Sequence, residues 1–173
     1  QMLNSALEKS VDNHAAAAVQ EKQQGKVIAV LGTRGGVGST TISINLAAII
    51  AELAKKQVAL VDIDPQEGSI ALNLDLDPSK GFREALEKPD RVDSLFIERV
   101  MSKRTKYLSV LSSEESMQDK LLIHEQAAET LVRQMRETYD VSVLDIPRHL
   151  RTFSRKCLAS ADHIVRSEER RVG

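Results

Sequence analysis

An all-apolar run, Val27–Leu31, meets the glycine-rich stretch Gly32–Gly38, then the small hydroxyl residues Ser39, Thr40 and Thr41, and then a long amphipathic segment. That order reads as buried strand, phosphate-binding loop and helix. Gly35, Gly36 and Gly38 let the backbone bend and bring its N–H groups, Val37 and Ser39 included, close to an anion. A helix beginning near Ser39 aims its positive end at the same point. Thr40 stands where such a loop places a magnesium-binding hydroxyl, and Thr41 offers a further donor to phosphate. The plainer reading is a tight strand-to-helix crossover with no ligand.

The usual loop pattern, G-x-x-x-x-G-K-[ST], has lysine where this chain has Ser39, and glycine where it has Thr33. The surroundings keep the site in play. Gln57–Val61 reads as a second buried strand and ends in Asp62-Ile63-Asp64-Pro65. Strand, helix and strand in this order make a βαβ unit with a right-handed crossover. Two carboxylates two residues apart at a strand's carboxyl end point the same way, toward the crevice where α/β folds bind ligands. The expectation is that the phosphate-loop strand lies beside them; alone, the pair could be a solvated Asp-Pro turn. A later strand, Asp140–Pro147, delivers Asp145 to the position from which such strands reach a metal's water shell.

Composition narrows the classes. With 173 residues, 42% hydrophobic and 28% charged, the chain suits one soluble domain with a sizeable core. A net charge of −1 gives no global basic field, which disfavours nucleic acid and anionic membrane. The single cysteine, Cys157, excludes an internal disulfide and fits a buried thiol in a reducing compartment. The four histidines lack metal-ligand spacing. No apolar run approaches the roughly 18 residues of a spanning helix, and no signal peptide is visible.

Residues 2–24 read as a helix whose apolar stripe is Leu3, Leu7, Val11, Ala15 and Ala18. A linker is the simpler reading; the end of a preceding domain or a dimer contact is the alternative. Over 40–54, Ile42, Leu46, Ile49, Ile50 and Leu53 repeat at helical spacing and are expected to pack on the sheet. Helices are expected at 81–86, 93–101 and 121–139, and strands at 106–111 and from Asp162 onward. Arg148, Arg151 and Arg155 share a face if 150–158 is helical. That face is either plainly solvated or a contact for an acidic partner or phosphate, the latter offsetting the missing lysine.

Arg34–Thr41 resembles the deviant Walker A motif of the ParA/MinD group, whose usual form is K-G-G-x-G-K-[ST]. Val58–Gln66 and Tyr139–Pro147 resemble its other two motifs in order and spacing. Within the group the chain looks most like CpaE/TadZ-type pilus-assembly proteins: Arg34 with a small residue at Ser39, the stretch Ala71–Pro78, then Gly81–Leu86, Pro89–Asp93, Leu108–Leu111 and Asp145-Ile146-Pro147-Arg148. The resemblance covers about 26–165 and implies an α/β, P-loop NTPase-like fold: a mostly parallel sheet with helices on both faces, truncated at its C-terminal end. It divides the chain into a linker helix at 1–25 following a lost receiver-like domain, a nucleotide-binding domain at 26–165, and a foreign tail at 166–173.

The resemblance also implies roles. ATP and Mg²⁺ would bind, with Gly35, Gly36, Val37, Gly38 and Ser39 giving backbone donors to the β- and γ-phosphates. Thr40 would bind the metal and Thr41 the α-phosphate. Asp62 and Asp145 would hold the metal's waters, Asp64 would align the attacking water, and Arg34 would reach the partner's nucleotide across a homodimer. The implied function is a cytoplasmic, nucleotide-dependent factor that marks the cell pole for Tad/Flp pilus assembly through pilus-assembly or polar proteins. Peripheral membrane association would come only through parts outside this chain. Losing the lysine at Ser39 removes a charge-assisted bond of about 1.5–3 kcal/mol, on the order of ten- to a hundredfold in affinity. Charge neutralisation is nearly all a protein contributes to phosphoryl transfer, so hydrolysis suffers more than binding. The expectation is a binding switch with slow or no turnover. An active ATPase in positioning or DNA partitioning is the alternative.

Overall fold

The computed structural model describes residues 24–79, 81–112, 121–148 and 151–169. The expected 2–24 helix falls almost wholly outside them, as do the last four residues of the tail. Six strands form one sheet: β1 (Lys26–Gly32), β2 (Val58–Asp62), β3 (Ser102–Lys103), β4 (Leu108–Leu111), β5 (Val141–Ile146) and β6 (His163–Ser167), in the order β3-β4-β2-β5-β1-β6. All neighbours are parallel except β3 against β4. β2 is buried along all five residues and β4 along all four, as strands covered on both faces must be. β4 lies within the strand expected over 106–111.

Helices cover both faces. On one lies α1 (Ser39–Ala54), joined in the core by Ile70 of the short α2 (Ile70–Leu74). On the other lie α3 (Gly81–Glu87), α4 (Ser94–Val100), α5 (Ala127–Thr138) and α6 (Thr152–Ala159). The chain travels outward from β1 to β2 through α1 and back from β4 to β5 through α5. Right-handed crossovers in opposite directions leave their helices on opposite faces. The return inserts β5 between β1 and β2, so the phosphate-loop strand is not β2's direct neighbour; both flank β5.

Two expectations about helices need correction. The first concerns α1, which turns Ser43, Ala47 and Ala51 most directly to the sheet, so that of the expected aliphatics only Leu46 and Ile50 pack on the core. Leu46 and Ile50 are half-buried at its flank, while Ile42, Ile49 and Leu53 are 36%, 54% and 80% exposed. Small residues let the helix lie close to β5, and the hydroxyl of Ser43 bonds a β5 side chain, which fixes the helix's rotation. The second concerns α5, which begins at Ala127, not Leu121. Residues 121–126 are irregular, held by the His124 N–H donating to the Leu86 carbonyl at 2.9 Å. α6 likewise begins at Thr152, so Arg148 is not on it.

Below the sheet, at the amino ends of the strands, Asp162 ties the core together. Its carboxylate accepts from the Val27 N–H at 2.8 Å and from Arg136 at 2.6 Å, and Arg136 also donates to the carbonyls of Gly25 and Ser160, each at 2.8 Å. Strand β6 runs through Arg166 to Ser167, beyond the point where its sequence stops looking strand-like. Among the described residues no helix is long and apolar enough to cross a membrane.

Candidate functional site

The site forms where β1, β2 and β5 end. Register places Asp62 beside Asp145, and Asp145 beside Val30, two residues before β1 ends at Gly32. The loop itself needs its glycines: Gly36 and Gly38 have φ of 79° and 76°, a region costly for residues with a Cβ. A Cβ at either would meet nothing within 4 Å, so the loop is open on its outer side. Gly38 caps α1, whose first turn carries no acidic side chain, leaving its positive end unneutralised from within the helix.

Asp145 is the centre of the side-chain network. Thr40 Oγ1 donates to its Oδ2 at 2.7 Å, and Ser43 Oγ lies 2.9 Å from its Oδ1. Asp62 accepts from the Ile70 N–H at 3.1 Å and the Asp64 N–H at 3.2 Å. Asp64 accepts from the N–H groups of Gln66 and Glu67 at 3.1 and 3.0 Å. Burial pushes the Asp62 carboxyl up to about 7, reinforced by the charge of Asp145 and opposed by the Ile70 N–H. Burial also raises Asp145, with the hydroxyls of Thr40 and Ser43 pulling the other way. Two adjacent buried carboxyls held above their ordinary range are poised to gain from a cation. Gly68 makes room for them: a Cβ there would run into the Asp62 carboxylate.

Thr40, Asp62, Asp64, Gly68 and Asp145 line a cleft of about 220 Å³ that also takes in Gly32, Arg34, Gly35, Gly36, Ser39, Glu67, Ser69 and Arg148. Of the residues singled out by sequence, Arg34, Gly35, Gly36, Ser39, Thr40, Asp62, Asp64 and Asp145 thus come together, whereas Val37, Gly38 and Thr41 do not line it. The Val37 carbonyl instead accepts from the Ser167 hydroxyl at 2.6 Å. Thr41 sits on the exposed side of α1's first turn. Arg34 Nη2 donates to both the carboxylate and the carbonyl of Glu169 at 3.1 Å. The expected Arg148–Arg151–Arg155 stripe separates: Arg148 enters the cleft, and Arg151 lies 3.5 Å from Gln66 Oε1. Ser43, Gly68 and Ser167 are members that sequence reading missed. Only Ser43 carried a signal, as a hydroxyl on the same small-residue face as Ala47 and Ala51.

The site has the parts of a nucleotide–metal cradle: an open amide loop, a helix start, a threonine hydroxyl and two paired carboxylates. Known proteins agree with that geometry. The family model AAA_31, described as an AAA domain, matches residues 25–169. The chromosome-partitioning ATPase Soj of Treponema pallidum is 30% identical over 144 residues, covering 81% of this chain and 55% of Soj. A ParA family ATPase from Chlorobium tepidum TLS superposes with a TM-score of 0.75 at 18% identity, covering 84% of this chain and 60% of that one. The septum site-determining protein MinD of Pyrococcus horikoshii OT3, solved with Mg-ADP, superposes with a TM-score of 0.65 at 18% identity, covering 83% and 57%. The chain therefore spans between half and two thirds of the length of these relatives. Motifs, topology and family model converge: the chain belongs to the AAA_31 family, within the ParA/MinD superfamily.

Proposed function

We propose that this chain is a nucleotide switch of the ParA/MinD type, binding Mg-ATP as a homodimer with slow or no hydrolysis. One observation carries the reading: Asp145 is bonded to Thr40 and lies beside Asp62, at the mouth of an open glycine loop whose lysine position is Ser39. In this reading the loop amides from Gly35 to Ser39 hold the β- and γ-phosphates, and Thr41 the α-phosphate. Thr40 supplies a ligand to Mg²⁺, and Asp62 and Asp145 hold its waters. A bound cation would replace the Thr40 proton as the partner of the Asp145 charge. Asp64 orients water toward the terminal phosphate, and Arg34, free of Glu169, would reach the partner's nucleotide. Without a lysine the terminal phosphate loses charge neutralisation, which weakens turnover more than binding.

The finer role follows the resemblance to CpaE/TadZ-type proteins: a cytoplasmic localisation factor for a Tad/Flp-type pilus, acting on pilus-assembly or polar partners. The Arg34–Ser39 pairing and the 71–93 stretch support it. A second reading, an active positioning or partitioning ATPase, is favoured by the likeness to Soj. Calorimetric titration with Mg-ATP tests the core claim. Saturable binding is expected in the unaltered chain, with loss of about a hundredfold or more in Asp145→Ala; no binding overturns the switch reading. Steady phosphate release above one equivalent per hour would favour the second reading, on the order of Ras-like intrinsic rates.

A further inference from the structure

Three positions could bring positive charge to the phosphate loop. Ser39, at the usual lysine position, has none. Arg34 lines the cleft, but its guanidinium is engaged by Glu169 at 3.1 Å. Arg148 comes from the opposite wall, three residues beyond Asp145 and directly after Pro147, whose ring fixes its own φ and stiffens the exit from β5. Its Nη1 lies 4.0 Å from where a Cβ on Gly35 would sit, so the guanidinium hangs over the loop. Among the described residues Arg148 forms no hydrogen bond or ion pair, and it is exposed. The lining around it carries Asp62, Asp64, Glu67 and Asp145. A polyphosphate entering this cleft meets four carboxyls, and Arg34 and Arg148 are the basic side chains that line it.

We propose that Arg148 supplies, from the end of β5 and within the same chain, the phosphate-binding cation that the loop lacks at Ser39. The inference rests on the nucleotide reading above and adds to it the residue that makes a lysine-free loop workable. A guanidinium suits the task because its planar fork can donate two parallel bonds to phosphate oxygens. It also answers the sequence ambiguity of the basic residues: Arg148 lines the cleft and serves the ligand, while Arg151 and Arg155 do not line it.

The test is titration of the 173-residue chain and its variants with Mg-ATP and Mg-ADP, beside their thermal melting. Arg148→Ala is expected to melt with the unaltered chain and to bind Mg-ATP about ten- to a hundredfold more weakly, with a smaller loss for Mg-ADP. Arg148→Lys should recover part of the affinity. Ser39→Lys placed in the Arg148→Ala background should restore it, because the charge returns at the ordinary position. Unchanged Mg-ATP affinity in Arg148→Ala overturns the inference while leaving the nucleotide reading intact. A loss that Ser39→Lys does not restore also overturns it, since Arg148 would then matter for the shape of the loop and not for its charge. Absence of binding by the unaltered chain overturns the nucleotide reading and this inference together.

Discussion

The two ends of the sheet use the same side chain in opposite ways. At the amino end, Asp162 is satisfied from within: a backbone N–H of β1 leads, Arg136 and Lys26 add to it, and the carboxyl falls to about 2. At the carboxyl end, Asp62 and Asp145 are buried among hydroxyls, amides and each other, and both are raised. One end is an internally neutralised clamp that holds β1, α5 and β6 in place. The other stores a demand for positive charge that the folded chain does not itself meet. A carboxylate's role in this molecule is therefore set by which end of a strand it terminates.

Breaking the clamp should cost most. Arg136→Ala removes three hydrogen bonds to groups below the sheet and leaves Asp162 short of a partner. A loss of about 2–3 kcal/mol in denaturant unfolding is expected, with nucleotide affinity retained in the folded fraction. Gly68→Ala acts at the other end and should cost less, about 1–2 kcal/mol. Its Cβ collides with the Asp62 carboxylate, so Mg-ATP binding should weaken along with melting temperature. An alanine chain that binds as before would show that Asp62 is free to move.

The smallest effect is the difference in pH slope. Asp162 is depressed from 3.8, so its stabilisation is complete above that value and is lost as pH falls toward about 2. Asp62 is raised to about 7, so its contribution is greatest below 3.8 and is lost as pH rises through about 7. Denaturant midpoints of Asp162→Asn should lose the acid-side slope, and those of Asp62→Asn the slope toward neutrality. If both variants track the unaltered chain, the contrast between the two ends is not electrostatic.

Much of this was readable from the chain. The runs 27–31 and 58–61 are uninterrupted apolar stretches, the first ending at a glycine and the second at Asp62, and such runs leave few alternatives to buried strands in a βαβ frame; 141–146 is apolar but for Ser142 and Asp145. Gly36 and Gly38 are where the backbone turns left-handed, as the glycine cluster implied. The failures share a cause. Periodicity assigned Ile42, Ile49 and Leu53 to the sheet because it weighs size, whereas packing distance and the Ser43–Asp145 bond selected the small face. The same method ran α5 back to Leu121, since Leu121 and Ile123 are packed against the core without being helical. Neither Gly68 nor Ser167 could be found this way: Gly68 matters through the turn that folds it back onto Asp62, and Ser167 through a neighbour, Val37, far away in sequence. Arg148 was visible only as one of several basic residues, and position after Pro147 separated it from the others.

The bond from the Ser167 hydroxyl to the Val37 carbonyl has a mechanical meaning. Together with the Thr33 N–H donating to the Ser167 carbonyl at 2.9 Å, it staples both halves of the loop to the outermost strand, β6. A loop held that way has surrendered part of its freedom during folding, so less remains to be lost when an anion settles on it. It also makes the loop a lever. Whatever pairs with or tugs on the outer edge of β6 pulls on the loop through these hydrogen bonds, with no need to pass through the helix that follows it.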